Sequence, residues 1–192
     1  SVDISTKNLE TFYNWKKLDS FDCLYCRGSY KNALLLRAIT ESCSGVTYTP
    51  IRPESFTIGH DKFLTILELQ KNGIDIPKTY VASTITSAKK ILENVNYPVI
   101  IKIPSGTHGK GVMVADTFAA ASSVLDTLEV FKQPYIIQDY IETNATDIRA
   151  IVLGDKVVAA MRRKAVNGEL RANIHMGGKG EQIDLDYATE RI

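Results

Sequence analysis

The sequence predicts a mixed α+β fold with two lobes. Helix-like and strand-like patterns alternate from residue 61 to residue 138, and two strand patterns joined by Gly154-Asp155 then follow without a helix between them. A two-residue connection of this kind favours a tight hairpin, so the last part of the chain is expected to be antiparallel. Alternating elements that give way to antiparallel strands are typical of α+β architectures.

The composition is that of an ordinary folded chain. Its 192 residues suit one large or two small domains, and 44% are hydrophobic. The 23 Lys and Arg against 22 Asp and Glu give a net charge of +1, which argues against a surface built for nucleic acid. No apolar run approaches the ~20 residues that cross a bilayer, and the N-terminus lacks a signal-peptide layout. We therefore expect a soluble, cytoplasmic protein without nucleic-acid or membrane partners.

The first 57 residues are expected to form a partial α/β domain. The chain begins without Met, and no clear core element precedes Leu9. Apolar spacing predicts a short β-α-β unit, with its strand, helix and strand at residues 21–26, 30–43 and 46–49. Two prolines within residues 50–55 then interrupt regular structure. We place a domain boundary near residue 57 and a second domain over residues 58–192.

Three cysteines indicate neither a metal site nor a disulfide framework. Cys23 and Cys26 have C-x-x-C spacing, but no second pair or nearby His completes a zinc site, and Cys43 stands alone. A redox pair would need a helix N-terminus to lower a thiol pKa, whereas these residues lie in a strand pattern. All three are predicted to be reduced core thiols.

The second domain is expected to be regular. The dipeptide Asn72-Gly73 is a typical signal for the end of a helix. The predicted helices cover residues 61–72, 85–95 and 117–129. The predicted strands cover residues 78–82, 98–103, 111–115, 134–138, 147–153 and 156–163.

Lys102 is the first candidate functional residue. It lies in the apolar run 99–103, which has the pattern of a strand buried on both faces. An unpaired ammonium in such a place costs several kcal/mol. Lys102 therefore either meets an anion or extends from an edge strand to water, and taken alone the residue favours neither reading.

A glycine-rich loop follows Lys102 and favours the anion. Small residues allow a backbone to approach phosphate oxygens and to point successive N–H groups at them, although a plain glycine-rich hairpin would have the same composition. A standard P-loop is excluded because Pro104 and Gly111 stand where a glycine and a Ser or Thr are required. The dinucleotide fingerprint also fails, since the loop leads into a strand. The candidate phosphate-binding residues are Ser105, Gly106, Gly109, Lys110 and Gly111.

Two further groups of polar residues follow at strand ends. Gln138, Asp139 and Tyr140 offer backbone groups, a carboxylate and a ring that could hold an adenosine moiety, although such a sequence is also an ordinary turn. Asp147 and Arg149 share a strand face by the period of two, and the alternative to a functional role is an exposed cross-strand ion pair.

Residues 156–180 carry a local excess of positive charge, six basic side chains against the single acid Glu169. A solvated hairpin face accounts for part of it. Arginine side chains and glycine loops also hold polyphosphates and offset charge in phosphoryl transfer. The residues in question are Arg162, Arg171 and Asn173, followed by Gly177-Gly178.

From Ile58 to about Asp186 the chain resembles the ATP-grasp superfamily, and in particular its RimK-type glutamate ligases. The order and spacing of the motifs are more specific than any one of them. The matching segments are D-K-F-L-T at 61–65, I-K-I-P-S-G-T-H-G-K-G-V at 101–112, Q-D-Y-I at 138–141, D-I-R at 147–149, M-R-R at 161–163 and R-A-N-I-H-M-G-G at 171–178.

The resemblance implies a two-lobed fold with ATP between the lobes, preceded by a remnant of an α/β domain. It implies that ATP phosphorylates a carboxylate and that an amine, such as that of glutamate, then displaces phosphate. Lys62 and Lys102 would contact ATP, and the loop 105–111 would close over its phosphates. Asp139 and Tyr140 would lie at the adenine and ribose hinge, with Asp147 near the nucleotide. Arg162, Arg171 and Asn173 would act as the catalytic residues, facing phosphates and acyl-phosphate oxygens.

The sequence departs from the family in two ways. Asp139 stands where Glu is usual, and the family's magnesium ligands, an Asp and a later Glu-x-Asn, follow the Gly-Gly loop on strands that this chain, ending at Ile192, does not contain. The Glu142-Thr143-Asn144 segment precedes the D-I-R strand and is expected to be a loop. We therefore expect a fragment with an incomplete C-terminal lobe, no metal ligand of its own, and Mg²⁺ held elsewhere.

Two other functions stay open at this stage. One is a nucleotide-binding or interaction module without catalysis, and the other is a kinase that transfers phosphate to a hydroxyl. The sequence identifies neither the carboxylate nor the amine, and it leaves the oligomeric state open, a homo-oligomer included.

Overall fold

A computed structural model describes residues 2–4, 10–43, 45, 47–106, 110–165 and 178–192. The chain packs as two compact units. The first comprises Ser1–Gly73 with Pro104–Gly106, and the second comprises Ile74–Ile103 with Thr107–Ile192. The domains expected at 1–57 and 58–192 were inferred from the sequence pattern, whereas these units are defined by packing. The expected domains stay a prediction.

The first unit opens with a small antiparallel sheet that the sequence analysis missed. Its strands are β1 (Val2–Ile4), β2 (Thr11–Tyr13) and β3 (Lys16–Lys17), in that order. The turn between β2 and β3 has positive φ angles at both Asn14 and Trp15, as in a type I′ hairpin. Strands of two or three residues are too short to leave a readable alternation.

The expected β-α-β unit is present only in outline. A 3-10 turn (Tyr30–Asn32) leads into helix α1 (Ala33–Ser42), close to the predicted helix. The predicted strands 21–26 and 46–49 were wrong as strands, because the described residues there form a single parallel bridge between Cys23 and Tyr48. Residue 46 lies outside the described residues. The bridge is held by Leu24 N donating to Tyr48 O at 2.9 Å.

The cysteines differ from one another. All three are free thiols, but only Cys43 is fully buried, in a small core with Leu18 and Ile39. Burial raises the pKa of the Cys43 thiol. Cys26 is half-buried and Cys23 is exposed, so the prediction of a core thiol was wrong for Cys23. The irregular backbone at residue 23 does not turn its side chain inward.

Two helices complete the first unit. Helix α2 (Pro53–Ile58) starts with proline at its first turn, where the missing N–H costs nothing. Helix α3 (Lys62–Lys71) matches the predicted helix, and Asp61 caps it by accepting from Phe63 N at 2.9 Å and Leu64 N at 3.0 Å.

The second unit contains a four-stranded antiparallel sheet with the order β4-β7-β5-β6. Its strands are β4 (Thr79–Tyr80), β5 (Val99–Lys102), β6 (Val112–Ala115) and β7 (Ile136–Asp139). Helices α4 (Ile85–Leu92) and α5 (Phe118–Val130) pack on one face. These elements confirm the predicted order. The core consists of Ala88, Leu92, Val99, Ile101, Ala115, Ala121, Leu125, Leu128 and Ile137.

A second antiparallel sheet has the order β10-β9-β8, with β8 (Thr146–Leu153), β9 (Lys156–Lys164) and β10 (Lys179–Gln182). The predicted hairpin is confirmed, with Leu153 opposite Lys156 and Gly154 at φ +65°. Strand β10 and the short helix α6 (Tyr187–Glu190) were not predicted. Across the described ranges, no helix has the length and apolar character to cross a membrane.

We expect Leu125→Ala to lower the free energy of unfolding by about 2–5 kcal/mol, because the side chain is fully buried between α5 and the sheet. Val130→Ala on the same helix is the matched control, since Val130 is 78% exposed and should change stability by less than about 0.5 kcal/mol. Denaturant unfolding of the full-length protein measures both. Equal losses in the two variants would contradict the assigned core.

Candidate active site

Lys102 ends strand β5 on the face of the sheet opposite helices α4 and α5. Val99 and Ile101 are fully buried, whereas Ile100 and Lys102 are half-buried. The expected burial on both faces is therefore complete for Val99 and Ile101 and partial for Ile100 and Lys102. Ile136, which lies opposite Lys102 on the same face, is fully buried. The Lys102 ammonium donates to Gln138 Oε1 in a short hydrogen bond. Lys102 is thus held by a polar partner rather than extended into bulk water.

Gln138 contributes its side chain to the site as well as its backbone. It lies opposite Ile100 in the sheet and is only 5% exposed. Its Nε2 donates to Thr79 Oγ1 at 2.8 Å, and the Thr79 hydroxyl donates to Pro77 O at 2.8 Å. Thr79 is not among the site residues predicted from the sequence, and nothing in its local pattern marks it. Its place in the site depends on the pairing of β4 with β7.

The glycine-rich loop is described at its two ends. Ser105 forms an isolated antiparallel bridge with Asp61, and Pro104 O accepts from Lys62 N at 2.9 Å and from Lys62 Nζ at 3.3 Å. Ser105 and Gly106 therefore pack with helix α3 in the first unit. Burial lowers the pKa of Lys62, because the charged form is poorly solvated there.

The far end of the loop requires glycine. Gly111 has φ +75° and accepts from Ile103 N at 2.8 Å, which closes a hairpin beyond the last pair of the β5–β6 ladder. A Cβ on Gly111 would lie 3.1 Å from Ile103 Cβ. The loop thus joins two neighbouring antiparallel strands, as predicted. Lys110 is exposed beside Gly111, and Gly109 lies outside the described residues.

Asp139 and Tyr140 follow at the end of strand β7. Asp139 N donates to Lys78 O at 2.9 Å, and Tyr140 donates from its hydroxyl to Glu142 at 3.4 Å. The register pairs Asp139 with Val99, which places it on the helix-covered face and not on the Lys102 face. Among the described residues, the buried Oδ1 of Asp139 has no hydrogen-bond partner. Such an oxygen is stabilised by any donor that reaches it.

Asp147 pairs with a residue that the sequence analysis did not propose for the site. It lies opposite Arg163 in the β8–β9 register, and the two side chains form a bidentate ion pair with Nε–Oδ1 at 2.7 Å and Nη2–Oδ2 at 2.8 Å. The Arg163 side chain is only 12% exposed. The Asp147 carboxylate raises the pKa of Arg163. Arg149 shares this face but is exposed.

Arg162 lies on the opposite face of the same sheet, across from Ile148 and Glu181. The structure therefore brings Asp147 together with Arg163 and separates it from Arg162. The other two predicted catalytic residues, Arg171 and Asn173, lie outside the described residues. Within the described ranges, no three His, Cys, Asp or Glu side chains are grouped so that they could hold a metal ion.

The Asp147–Arg163 pair should contribute measurably to stability. Asp147→Asn is expected to lower the free energy of unfolding by about 1–2 kcal/mol, because Arg163 then keeps its charge in a poorly solvated place without an ionised partner. The value stays below that of a fully buried pair because the Asp147 side chain is 42% exposed and water screens it.

The measurement is a double-mutant cycle of Asp147→Asn and Arg163→Gln, followed by denaturant unfolding, with Arg162→Gln as the neighbouring control. The two losses in the cycle should not add, and Arg162→Gln should cost less. Additive losses, or an equal loss from Arg162→Gln, would show that the pair is not coupled.

Solved structures share the fold. The chain resembles a RimK domain ATP-grasp protein from Sphaerobacter thermophilus with a TM-score of 0.62 and 20% identity, over 78% of this chain and 59% of that one. It resembles the ATP-grasp ligase PsnB complexed with a precursor variant, Mg and ADP with a TM-score of 0.64 and 12% identity, over 100% and 67%. It resembles the D-cycloserine synthetase DcsG with a TM-score of 0.66 and 15% identity, over 90% of this chain and 62% of that one. At these identities the likeness concerns the fold alone.

Curated relatives are more similar in sequence. A probable alpha-L-glutamate ligase of Cellvibrio japonicus is 34% identical over 99% of this chain and 64% of its own length. A probable alpha-L-glutamate ligase of Mannheimia succiniciproducens is 42% identical over 69% of this chain and 45% of its own length. The chain thus spans less than two thirds of these relatives. The profile of the RimK-like ATP-grasp domain matches residues 59–192, the greater part of the chain, and on this match the chain belongs to the RimK-like ATP-grasp family.

Proposed function

We propose that the protein is an ATP-dependent carboxylate–amine ligase that adds glutamate or a related amino acid. ATP use follows from membership of the ATP-grasp family. The observation that carries the proposal is the ammonium of Lys102, held by Gln138 on the sheet face opposite helices α4 and α5, where the glycine-rich hairpin begins. The relatives named as glutamate ligases support glutamate as the amine.

The proposed reaction has two steps. A carboxylate oxygen of the acceptor attacks the γ-phosphorus of ATP, the bond from that phosphorus to the β,γ-bridging oxygen breaks, and ADP leaves. The amine nitrogen then attacks the acyl carbon, the bond from carbon to the phosphate oxygen breaks, and the nitrogen loses a proton. Both steps move negative charge on phosphate oxygens, which cationic side chains and backbone N–H groups stabilise.

Lys102 is assigned to the phosphates of ATP. A hydrogen bond to the Gln138 carboxamide orients the Lys102 ammonium, and the family resemblance assigns this cation to an anionic phosphate. The loop residues Ser105, Gly106, Gly109, Lys110 and Gly111 are proposed to approach the phosphates through their backbone N–H groups and the Lys110 side chain. Lys62 is assigned to ATP as well, and its lowered pKa fits a cation that an anionic ligand would stabilise.

The remaining assignments follow the family resemblance. Backbone groups at Asp139 and Tyr140 are proposed to receive the adenine. Asp147 and Arg149 are assigned to the nucleotide, with Asp147 oriented by Arg163. The proposed catalytic residues that face the acyl phosphate are Arg162, Arg171 and Asn173.

Mg²⁺ is part of the proposal, but the residues described here do not fit it. They include no group of three potential ligands, so none of them is assigned to the ion and no step is derived through it. The acceptor carboxylate, on a protein tail or a small molecule, stays unassigned. We place the reaction in the cytoplasm, where ATP and free glutamate are both abundant.

The reaction class is tested with the full-length protein, ATP, Mg²⁺ and candidate carboxylates. We expect ADP release that requires a carboxylate, and a hydroxamate when hydroxylamine replaces the amine, because an acyl phosphate is captured by that nucleophile. Colorimetric detection of the hydroxamate and enzymatic detection of ADP provide the two readouts. Transfer of phosphate to a hydroxyl without hydroxamate would indicate a kinase, and nucleotide binding without ADP release would indicate a module without catalysis.

Lys102→Met should raise the KM for ATP about 10- to 100-fold, the factor expected for losing a hydrogen bond to a charged group. Lys89→Met is the matched control. It also removes one positive charge, but from helix α4, which packs on the opposite face of the same sheet, where Lys89 contacts Asp126 at 2.7 Å. Steady-state kinetics of both variants provide the comparison. An unchanged KM for ATP in Lys102→Met would remove Lys102 from the nucleotide site.

A further inference from the structure

Thr79 has no part in the roles assigned above, yet it ends the hydrogen-bond chain that starts at Lys102. It lies opposite Gln138 in the β4–β7 register and carries one hydroxyl proton. The hydroxyl donates that proton to Pro77 O at 2.8 Å. Its oxygen therefore faces Gln138 Nε2 at 2.8 Å as an acceptor. The backbone carbonyl of Pro77 thus fixes the direction of the Thr79 hydroxyl.

This direction decides which end of the Gln138 carboxamide faces Lys102. An acceptor at Thr79 selects the NH2 end of the carboxamide, so the oxygen turns toward the Lys102 ammonium. If the Gln138 carboxamide were flipped, its NH2 group would face the Lys102 ammonium, and both groups are hydrogen-bond donors. Gln138 is only 5% exposed, so water cannot compensate for that mismatch.

We propose that Thr79 is a positioning residue for nucleotide binding, which acts by fixing the carboxamide of Gln138 and through it the ammonium of Lys102. This inference rests on the proposed function, because it takes Lys102 as a phosphate contact. A lysine side chain loses much rotamer freedom when it is held in one geometry. The hydrogen bonds that link Thr79, Gln138 and Lys102 already restrict the lysine in the folded protein, so ligand binding costs less rotamer entropy.

The test compares Thr79→Val, which has the same shape without the hydroxyl, with Thr79→Ser, which keeps it. In the full-length protein, Thr79→Val should weaken ATP binding and raise the KM for ATP about 3- to 10-fold, the range expected for one lost hydrogen bond. The kcat at saturating ATP should stay within about twofold. Thr79→Ser should bind ATP as the unchanged protein does. Equal effects of Val and Ser, or a loss confined to kcat, would overturn the proposal.

A double-mutant cycle with Lys102→Met separates this inference from the proposed function. Thr79→Val should weaken ATP binding in the presence of Lys102 and have little further effect in the Lys102→Met background. If Lys102→Met alone leaves ATP binding unchanged, the assignment of Lys102 to the phosphates fails and this inference with it, whereas the ligase reaction is tested separately by the hydroxamate and ADP assays. If Lys102→Met weakens binding but Thr79→Val does not, or if the two effects add, only the role of Thr79 fails.

A second measurement does not depend on whether Thr79→Val folds. The side-chain NH2 protons of Gln138 should exchange with solvent at least 10-fold more slowly than those of the exposed Gln70, as followed by NMR with ¹⁵N-labelled protein. Exchange of the Gln138 protons at the rate of Gln70 would show that the carboxamide is not held, and would overturn the proposal by itself.

Discussion

The alternation of side chains in the four-stranded sheet determines where chemistry is located in this chain. Helices α4 and α5 cover the face that carries Val99, Ile101 and Ile137. Because side chains alternate along a strand, the residues between them must lie on the other face. That face receives Lys102 and Gln138, in neighbouring strands and within hydrogen-bonding distance. The alternation of side chains along the strands therefore places the apolar core on one face and the polar pair of Lys102 and Gln138 on the other.

The hairpin of β8 and β9 applies the same rule to a pair of arginines. Arg162 and Arg163 are adjacent in sequence, so the pleat places them on opposite faces of the sheet. Arg163 lies across from Asp147, whose carboxylate engages it through two hydrogen bonds. Arg162 instead lies across from Ile148 and Glu181. A single strand thus places two adjacent guanidinium groups on opposite faces, and only that of Arg163 faces Asp147.

The sequence was most informative where a feature depends on neighbours in the chain. Turn signals such as Asn72-Gly73 and Gly154-Asp155, together with apolar periodicity, predicted the helices and the hairpin in the correct order. The period of two pointed from Asp147 to Arg149, but side chains directly across an antiparallel pair lie closer than residues two apart on one strand, so Arg163 is the partner. Thr79 lies 59 residues from Gln138 and could be found only from the register.

The chain holds its cations in two different ways, and the difference bears on function. Arg163 is bound by an ionised carboxylate, which satisfies its donors and offsets its charge. The hydrogen bonds of Lys62 to Pro104 O and of Lys102 to Gln138 Oε1 use neutral acceptors, which orient an ammonium. Burial lowers the pKa of Lys62, so the folded chain holds this ammonium at a cost. An anion bound beside Lys62 would offset that cost and raise its pKa again, which is the electrostatic condition under which a phosphate chain binds tightly.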